Sequence, residues 1–183
     1  IVDTLATVTD ASQEATDDST TQADVKAMVT QVLQDEGEAN ALDTRQHAKT
    51  LLKVIEKLKD KKGAAPLVQK LSLKVGEELE IGEDNTLETD EIEMRAKKRV
   101  AEDVAKEPIK TTSAQMKLPK TFKLPNATDD TPVSITAAEH KKNPMGNSGI
   151  KTGSEMISKV VEFDVSRDGT KDDIKNLEDP IEI

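Results

Sequence analysis

Val160-Val161-Glu162-Phe163-Asp164-Val165 is the stretch that decides the fold, because its side chains alternate between apolar and acidic. Val161, Phe163 and Val165 share one parity, and the acids between them take the other. A period of two residues is typical of a half-buried β-strand. Asp168-Gly169 follows with residues that favour a tight hairpin turn. The sequence therefore predicts β-sheet in this part of the chain.

The first half of the chain has the period of amphipathic helices instead. Apolar residues three and four positions apart give one helical face to each of two segments: Val25, Met28, Val29, Val32 and Leu33 in the first, and Ala48, Leu51, Leu52, Ile55 and Leu58 in the second. We expect Gly63 to end the second helix, after lysines placed at its negative end. Pro66 is expected to begin a third helix that continues to Leu71.

The middle of the chain is less regular. Leu71, Leu73 and Val75 alternate, so their segment is ambiguous between helix and strand. Residues 77–93 hold nine acids and no Lys or Arg, which favours a solvated acidic loop over a calcium-binding surface. Alternation over Asp90–Lys97 favours a strand, although the residue types there favour helix. One helical turn is expected around residues 101–105, and Met116 and Leu118 are expected to continue the sheet.

Composition limits both the core and the partners. Leu, Ile, Val and Phe together make up 41 of 183 residues, and the chain has no Trp and no Tyr. That share is close to the level below which charged chains stay disordered, so the predicted core is thin and aliphatic. The net charge of -10 disfavours nucleic-acid and direct membrane partners. The absence of cysteine excludes disulfides and thiolate chemistry.

Residues able to carry catalysis or bind metal are few. His47 lies on the polar side of its predicted helix, and neither it nor His140 has the spacing of a zinc site. Asp164–Gly169 matches the start of a calcium loop, but Lys175 occupies the position of its bidentate acid, so a hairpin turn is favoured. No catalytic pairing is legible around the serines Ser113, Ser134 and Ser158. We therefore predict no enzyme, no cofactor and no metal site.

Asn126-Ala127-Thr128 is the one N-glycosylation sequon in the chain. It lies between Pro125 and a pair of aspartates, which is a composition typical of an exposed loop. We predict Asn126 as a glycosylation site if the chain is secreted.

The order of segments in the second half resembles the GAIN domain, in the version found in polycystins, sperm receptors for egg jelly and adhesion receptors. The resemblance covers about residues 86–183. Residues 1–85 match only in type, because that family opens with a helical subdomain. The segments that carry the resemblance follow in the family's order: Leu118-Pro119-Lys120-Thr121-Phe122, Val133-Ser134-Ile135-Thr136, Asn143-Pro144, Val160–Val165, Asp168-Gly169, Ile174, Leu177, Ile181 and Ile183.

The resemblance implies an α+β fold with a helical subdomain at 1–85 and the opening strands of an antiparallel β-sandwich at 86–183. It implies a non-enzymatic structural and interaction module on the extracellular side of the cell surface, cilia included. Its partners would be the remaining domains of its parent chain and neighbouring surface proteins. Family members that cleave themselves use a His-aliphatic-Ser/Thr tripeptide, and neither His47 nor His140 begins one.

Two alternatives remain open at this point. A structural subunit of an extracellular or ciliary-surface filament or coat would explain the thin core, because neighbouring copies would bury additional surface. An autoproteolytic domain would need a cleavage tripeptide beyond Ile183. The chain begins with Ile1-Val2-Asp3 and without the apolar start of a signal peptide, so we interpret it as a fragment of a larger protein.

Overall fold

The computed structural model describes residues 19–34, 44–58, 60–141, 159–172 and 174. Within them three helices precede the strands: α1 (Ser19–Gln34), α2 (Thr44–Glu56) and α3 (Lys61–Glu78). The strands are β1 (Asp84–Glu88), β2 (Ile92–Val100), β3 (Ile109–Lys110), β4 (Gln115–Met116), β5 (Pro132–His140), β6 (Val160–Arg167) and β7 (Thr170–Lys171). The predicted α+β class is confirmed.

Five of the strands form one antiparallel sheet in the order β1-β2-β5-β6-β7. β3 and β4 pair with each other in a separate two-stranded sheet. Residues 101–131 leave the large sheet after β2 and return to it at β5, which places β3 and β4 within this excursion. Because these residues are not part of the large sheet, the excursion can cover one of its faces.

The two faces of the large sheet carry different layers. Successive strand residues point to opposite faces, and neighbouring Ala137 and Ala138 belong to different apolar clusters. Ala138 joins the cluster that contains the helices, and we name that side the helix face. Ala137 joins a cluster built largely from the 101–131 excursion, and we name that side the far face. The sheet is thus covered on both sides.

The predicted helical faces are confirmed with one exception. Val25, Val29 and Leu33 of α1 are buried, whereas Met28 is 47% exposed. All five apolar residues predicted for the second helix are buried, together with Val54. α3 lies between these helices and the sheet, and its cluster includes Ile92 and Met94 of β2. Isolated helices of this length are marginal, so this shared burial is what stabilises them.

The boundary between α2 and α3 differs from the prediction. α2 ends at Glu56, and Gly63 lies in the first turn of α3 instead of ending a helix. The reason is a cap at Asp60, whose Oδ1 accepts a hydrogen bond of 2.9 Å from the Gly63 N–H. Such a cap satisfies a donor that the first helical turn leaves unpaired. Pro66 consequently lies inside α3, which continues through residues 71–75 to Glu78.

The acidic segment 77–93 is not the continuous loop that its charge predicted. It contains β1, which forms a hairpin with β2 and confirms the strand expected near Asp90–Lys97. Leu87 packs against the helix-face cluster. The acid at the start of β1 is paired, because Asp84 Oδ1 lies 2.6 Å from Nη2 of Arg99. β1 therefore carries its acids on one face and Leu87 on the other, which suits a strand at the edge of this sheet.

The deciding strand β6 has the predicted conformation but different surroundings. Val165 is buried in the far-face cluster and Phe163 packs against it while partly exposed. The opposite parity was expected to face solvent, yet Asp164 and Ser166 are buried. The cause is α3, which covers that side, and Gln69 Nε2 donates a 2.9 Å hydrogen bond to Asp164 Oδ2. The hairpin turn predicted at Asp168-Gly169 is confirmed.

The excursion over the far face matches the sequence in part. Residues 101–107 form turns in place of the expected helical turn. Met116 lies in β4 and not in the large sheet, and Leu118 is buried outside any strand. The division after residue 85 stays a prediction, and that position falls within β1. The expectations at Asn143-Pro144, Leu177, Ile181 and Ile183 lie outside the described residues.

Gly76 allows α3 to approach β5 closely. A Cβ at this position would lie 3.0 Å from Ser134 Cβ and 3.1 Å from Thr136 Cγ2. Ser134 Oγ also donates a 2.7 Å hydrogen bond to the Gly76 carbonyl. Because the two neighbours are held on a central strand, they cannot withdraw without shifting the backbone.

Gly76→Ala should therefore destabilise the protein by about 1–2 kcal/mol, although alanine favours helix. Urea unfolding followed by circular dichroism would measure the change. Lys70→Ala is the matched control, because Lys70 is exposed on the same helix and should change stability by about 0.5 kcal/mol or less. A Gly76→Ala protein more stable than the parent would contradict the close approach.

Candidate functional site: a buried carboxylate pair

The far face of the sheet contains two buried glutamates on neighbouring strands. Glu93 of β2 and Glu139 of β5 are directly opposed in the antiparallel register. Glu93 is 1% exposed and Glu139 is 0% exposed. An ionised carboxylate is costly to bury unless it is paired and hydrogen-bonded. Two of them side by side therefore require a full set of donors.

The turn between β3 and β4 supplies most of those donors. The Thr112 backbone N–H and side-chain Oγ1 bond Glu93 Oε2 at 3.0 and 2.6 Å. The Ser113 N–H bonds Glu139 Oε2 at 2.9 Å, and Ser113 Oγ donates to Oε1 at 2.6 Å. The turn is closed by the Thr111 N–H, which bonds the Ala114 carbonyl at 2.8 Å. Consecutive residues thus each bind one glutamate.

A cation lies beside each carboxylate at its more exposed side. Arg95 Nε is 2.7 Å from Glu93 Oε1. Lys159 Nζ is 2.7 Å from Glu139 Oε1 and 2.7 Å from Ser113 Oγ. We name the six residues the carboxylate clamp: Glu93, Arg95, Thr112, Ser113, Glu139 and Lys159. The clamp joins β2, β5, the β3–β4 turn and the residue before β6, which are distant in sequence.

The hydrogen bonds keep both glutamates ionised. Burial by itself raises the pKa of Glu139, but hydrogen bonds from Lys159 and Ser113 outweigh it and lower the pKa to about 2. Burial likewise raises the pKa of Glu93, and bonds from Thr112 and Arg95 bring it below its ordinary value. Hydrogen bonds to the charged form are what shift a carboxyl pKa in this direction.

The clamp has the residue types of a nucleophilic site, but the pKa of Glu139 does not suit a general base. Ser113 Oγ contacts both a carboxylate and a lysine. A general base works best with a pKa near the operating pH, and Glu139 lies far below that range. Lys159 donates to Glu139 and to Ser113, so its ammonium is already committed as a donor. The geometry is that of a structural tie between layers.

Neither histidine belongs to the clamp. His140 is buried on the helix face, and its Nε2 atom has no hydrogen-bond partner in the part of the chain that the structure describes. Burial, and then the charge of Lys61, lower its pKa, which favours the neutral imidazole. His47, which was predicted on the polar side of its helix, is partly buried in α2 and takes part in an interaction. No three acids or histidines among the described residues are grouped to hold a metal ion.

A polar groove of about 1050 Å³ lies between α2 and the β1–β2 turn. Lysines of α2, including Lys49 and Lys53, form one wall, and the acids at residues 88–91 line the other. Several of these charges are already paired, as in the 2.7 Å ion pair between Lys141 and Glu88. The groove therefore has walls of opposite charge.

The remaining predicted residues are dispersed. Asn126 is exposed in a turn with φ of 59°, and the Thr128 hydroxyl lies 3.0 Å from that of Thr131. Ser134 is buried and bonded to α3, on the side of the sheet opposite to Ser113. Asp164 belongs to β6 and not to a calcium loop. Lys175 and Ser158 lie outside the described residues.

Sequence reasoning missed the clamp for two reasons. Glu93 was grouped with the acidic segment, and Ser113 was considered only as a nucleophile. For Glu139 the sequence did contain a usable signal, because this acid shares the parity of the apolar residues Val133, Ile135 and Ala137. An acid on the buried parity of a strand requires a donor nearby. Nothing in the sequence names the turn at Thr112-Ser113 as that donor.

Comparison with protein-family models gives no match to the chain, and comparison with curated proteins gives no match either. Among the helices that the structure describes, none combines the length and the apolar character needed to cross a membrane. The geometry of the described residues and the resemblance found in the sequence are therefore the grounds on which a function is proposed.

The clamp makes stability dependent on pH. Because the pKa of Glu139 is depressed in the folded state, its contribution is complete above the ordinary value of 4.5 and is lost as pH falls toward 2. We expect this group alone to lower the free energy of unfolding by about 3 kcal/mol between pH 5 and pH 2. Urea denaturation at a series of pH values measures this loss.

Glu139→Gln should be less stable than the parent by about 2–3 kcal/mol at pH 7, since it loses charge-assisted hydrogen bonds. Its stability should also fall less steeply on acidification. Glu102→Gln serves as control, because Glu102 is exposed and should leave the acid dependence unchanged. Equal acid dependence in Glu139→Gln and the parent would show that the clamp does not hold Glu139 ionised.

Proposed function

We propose that this chain is a non-enzymatic structural and interaction module from the extracellular region of a polycystin-like or adhesion-type surface protein. The observation that carries the proposal is the carboxylate clamp. Its buried charges are used to join β2 and β5 to the β3–β4 turn, and the pKa of Glu139 lies too low for a general base at neutral pH. Such a use of buried charge suits a domain whose task is to keep its shape.

The order of elements also supports the proposal. Three described helices precede an antiparallel sheet, which is the order that the resemblance to the GAIN domain implies. Leu118 and Phe122, from the Pro-aromatic segment, are buried in one cluster with Val133 and Ile135. The two segments follow one another in the order of segments on which the resemblance is based. The proposed partners are the other domains of the parent chain and neighbouring surface proteins.

The sequon supports the extracellular setting. Asn126 is exposed, and Pro125 beside it is held by a 3.0 Å hydrogen bond from Arg167 Nη1 to its carbonyl. The sequon is thus presented on a fixed turn away from the clamp. Glycosylation requires passage through the secretory pathway, so a glycan at Asn126 is a direct mark of the proposed location.

The proposal is tested in cells that express the parent protein. An antibody against residues 60–141 should stain intact cells, and a glycosidase should reduce the mass of the protein. The glycosidase shift should disappear in Asn126→Asp, because aspartate tolerates the positive φ but accepts no glycan.

The matched controls are a pair of changes at the third sequon position. Thr128→Ser keeps the acceptor sequence and should keep the glycan, whereas Thr128→Ala should lose it. Staining that requires permeabilised cells, with no glycan on the parent protein, would contradict an extracellular function.

A further inference from the structure

The strand β1 lies at one edge of the large sheet. In the part of the chain that the structure describes, it pairs with β2 on one side and with no strand on the other. The opposite edge of the sheet carries β7, which pairs with β6 at Ser166 and Arg167. An edge strand presents unpaired N–H and C=O groups, which are a template for a further strand.

The ladder shows which backbone groups of β1 point outward. The Lys98 N–H bonds the Glu83 carbonyl at 3.1 Å, and the Thr89 N–H bonds the Ile92 carbonyl at 2.8 Å. Residues of an antiparallel pair alternate between hydrogen-bonded and non-hydrogen-bonded positions. Between residues 83 and 89, the backbone groups that bond to β2 are therefore those of residues 85 and 87. The outward groups are those of Asp84, Thr86 and Glu88, all of them exposed.

Charge is the feature that limits what can pair with this edge. β1 contains no proline, which would block a further strand. In an antiparallel pair of two copies centred on Thr86, Asp84 of one copy would oppose Glu88 of the other. Like charges directly opposite on neighbouring strands are destabilising. The edge therefore disfavours a second copy of this chain and favours a strand with positive charges.

The acids on this edge retain capacity for further donors. Arg99 lies 2.6 Å from Asp84, and Lys141 lies 2.7 Å from Glu88. The carboxyl side chains nevertheless remain 51% and 61% exposed. A carboxylate accepts about four hydrogen bonds, so a partner lysine can bind each acid without displacing its present cation. On the other parity, Leu87 extends the helix-face cluster to the sheet edge.

We propose that β1 is a docking edge for an extended segment of a different protein. That segment would add as a sixth strand, with Lys or Arg beside Asp84 and Glu88 and an aliphatic residue beside Leu87. Backbone hydrogen bonds would supply affinity, and the alternating side chains would supply specificity. The inference goes beyond the proposed extracellular role, because the edge has the same chemistry wherever the chain resides.

A fluorescent peptide, Lys-Val-Thr-Val-Lys with blocked ends, tests the edge by anisotropy with the 183-residue chain. Its side-chain order is the same in both directions, so it fits parallel or antiparallel addition. Glu-Val-Thr-Val-Glu should bind at least about tenfold more weakly. Thr86→Pro should weaken binding of the lysine peptide by about tenfold or more, since it removes an outward N–H and leaves the bonds to β2 in place.

Thr86→Val is the matched control, because it keeps the N–H, and its affinity should stay within about twofold of the parent. If Thr86→Pro fails to fold, hydrogen exchange on the parent gives the same information. The amides of Asp84, Thr86 and Glu88 should exchange freely alone and slowly with the lysine peptide. The proposal would be overturned if the lysine peptide did not bind, if both peptides bound equally, or if Thr86→Pro left the affinity unchanged. Unchanged exchange of the Thr86 amide after addition of the lysine peptide would overturn it as well.

Discussion

Two like charges buried on neighbouring strands are the constraint on which this fold depends. Glu93 and Glu139 face the same side of the sheet and are almost fully buried. Without the donors of Thr112 and Ser113, each carboxylate would keep its cation, Arg95 or Lys159, but would lose two hydrogen bonds, which is destabilising for a buried charge. The sheet and the layer over its far face are therefore stable only together. The clamp makes the β3–β4 turn, which is short and poor in secondary structure, an obligatory part of the fold.

The composition explains why a polar tie matters here. The core is aliphatic and contains few large side chains, so apolar burial alone leaves a small surplus over conformational entropy. The far-face cluster takes much of its apolar surface from residues without regular structure, such as Leu118, Phe122 and Leu124. Charge-assisted hydrogen bonds hold this irregular layer in a single position.

The helix face is arranged differently. α3 meets the sheet through small and polar residues as well as apolar ones, with Gly76 against Ser134 and Gln69 bonded to Asp164. β6 therefore contributes both of its parities to buried layers, one to α3 and one to the excursion. For this reason the acidic side chains of β6 are not solvated. It also explains why a strand that alternates between apolar and acidic residues lies in the middle layer of a three-layer structure.

The sequence predicted the parts of the fold that follow from local period. Leu51, Leu52 and Ile55 were assigned to a buried helical face, and Val160–Val165 to a strand, because packing acts on the same periods. The α2–α3 boundary was misplaced because Gly63 was read as a helix end, while the Asp60 cap three residues earlier has the deciding hydrogen bond. The clamp could not be predicted from the sequence, because Thr112 lies 19 residues from Glu93 and Ser113 lies 26 residues from Glu139.

A stable scaffold with a charged edge strand is consistent with the proposed extracellular module. The clamp fixes the sheet, the sheet presents β1, and the acids of β1 select what can pair with it.

The most direct test of the central claim is a double-mutant cycle between Ser113→Ala and Glu139→Gln, measured by urea unfolding at pH 7. We expect a coupling free energy of at least about 1 kcal/mol, because each change removes the partner of the other. Losses that add to within about 0.3 kcal/mol would show that the two residues act independently and would contradict the clamp.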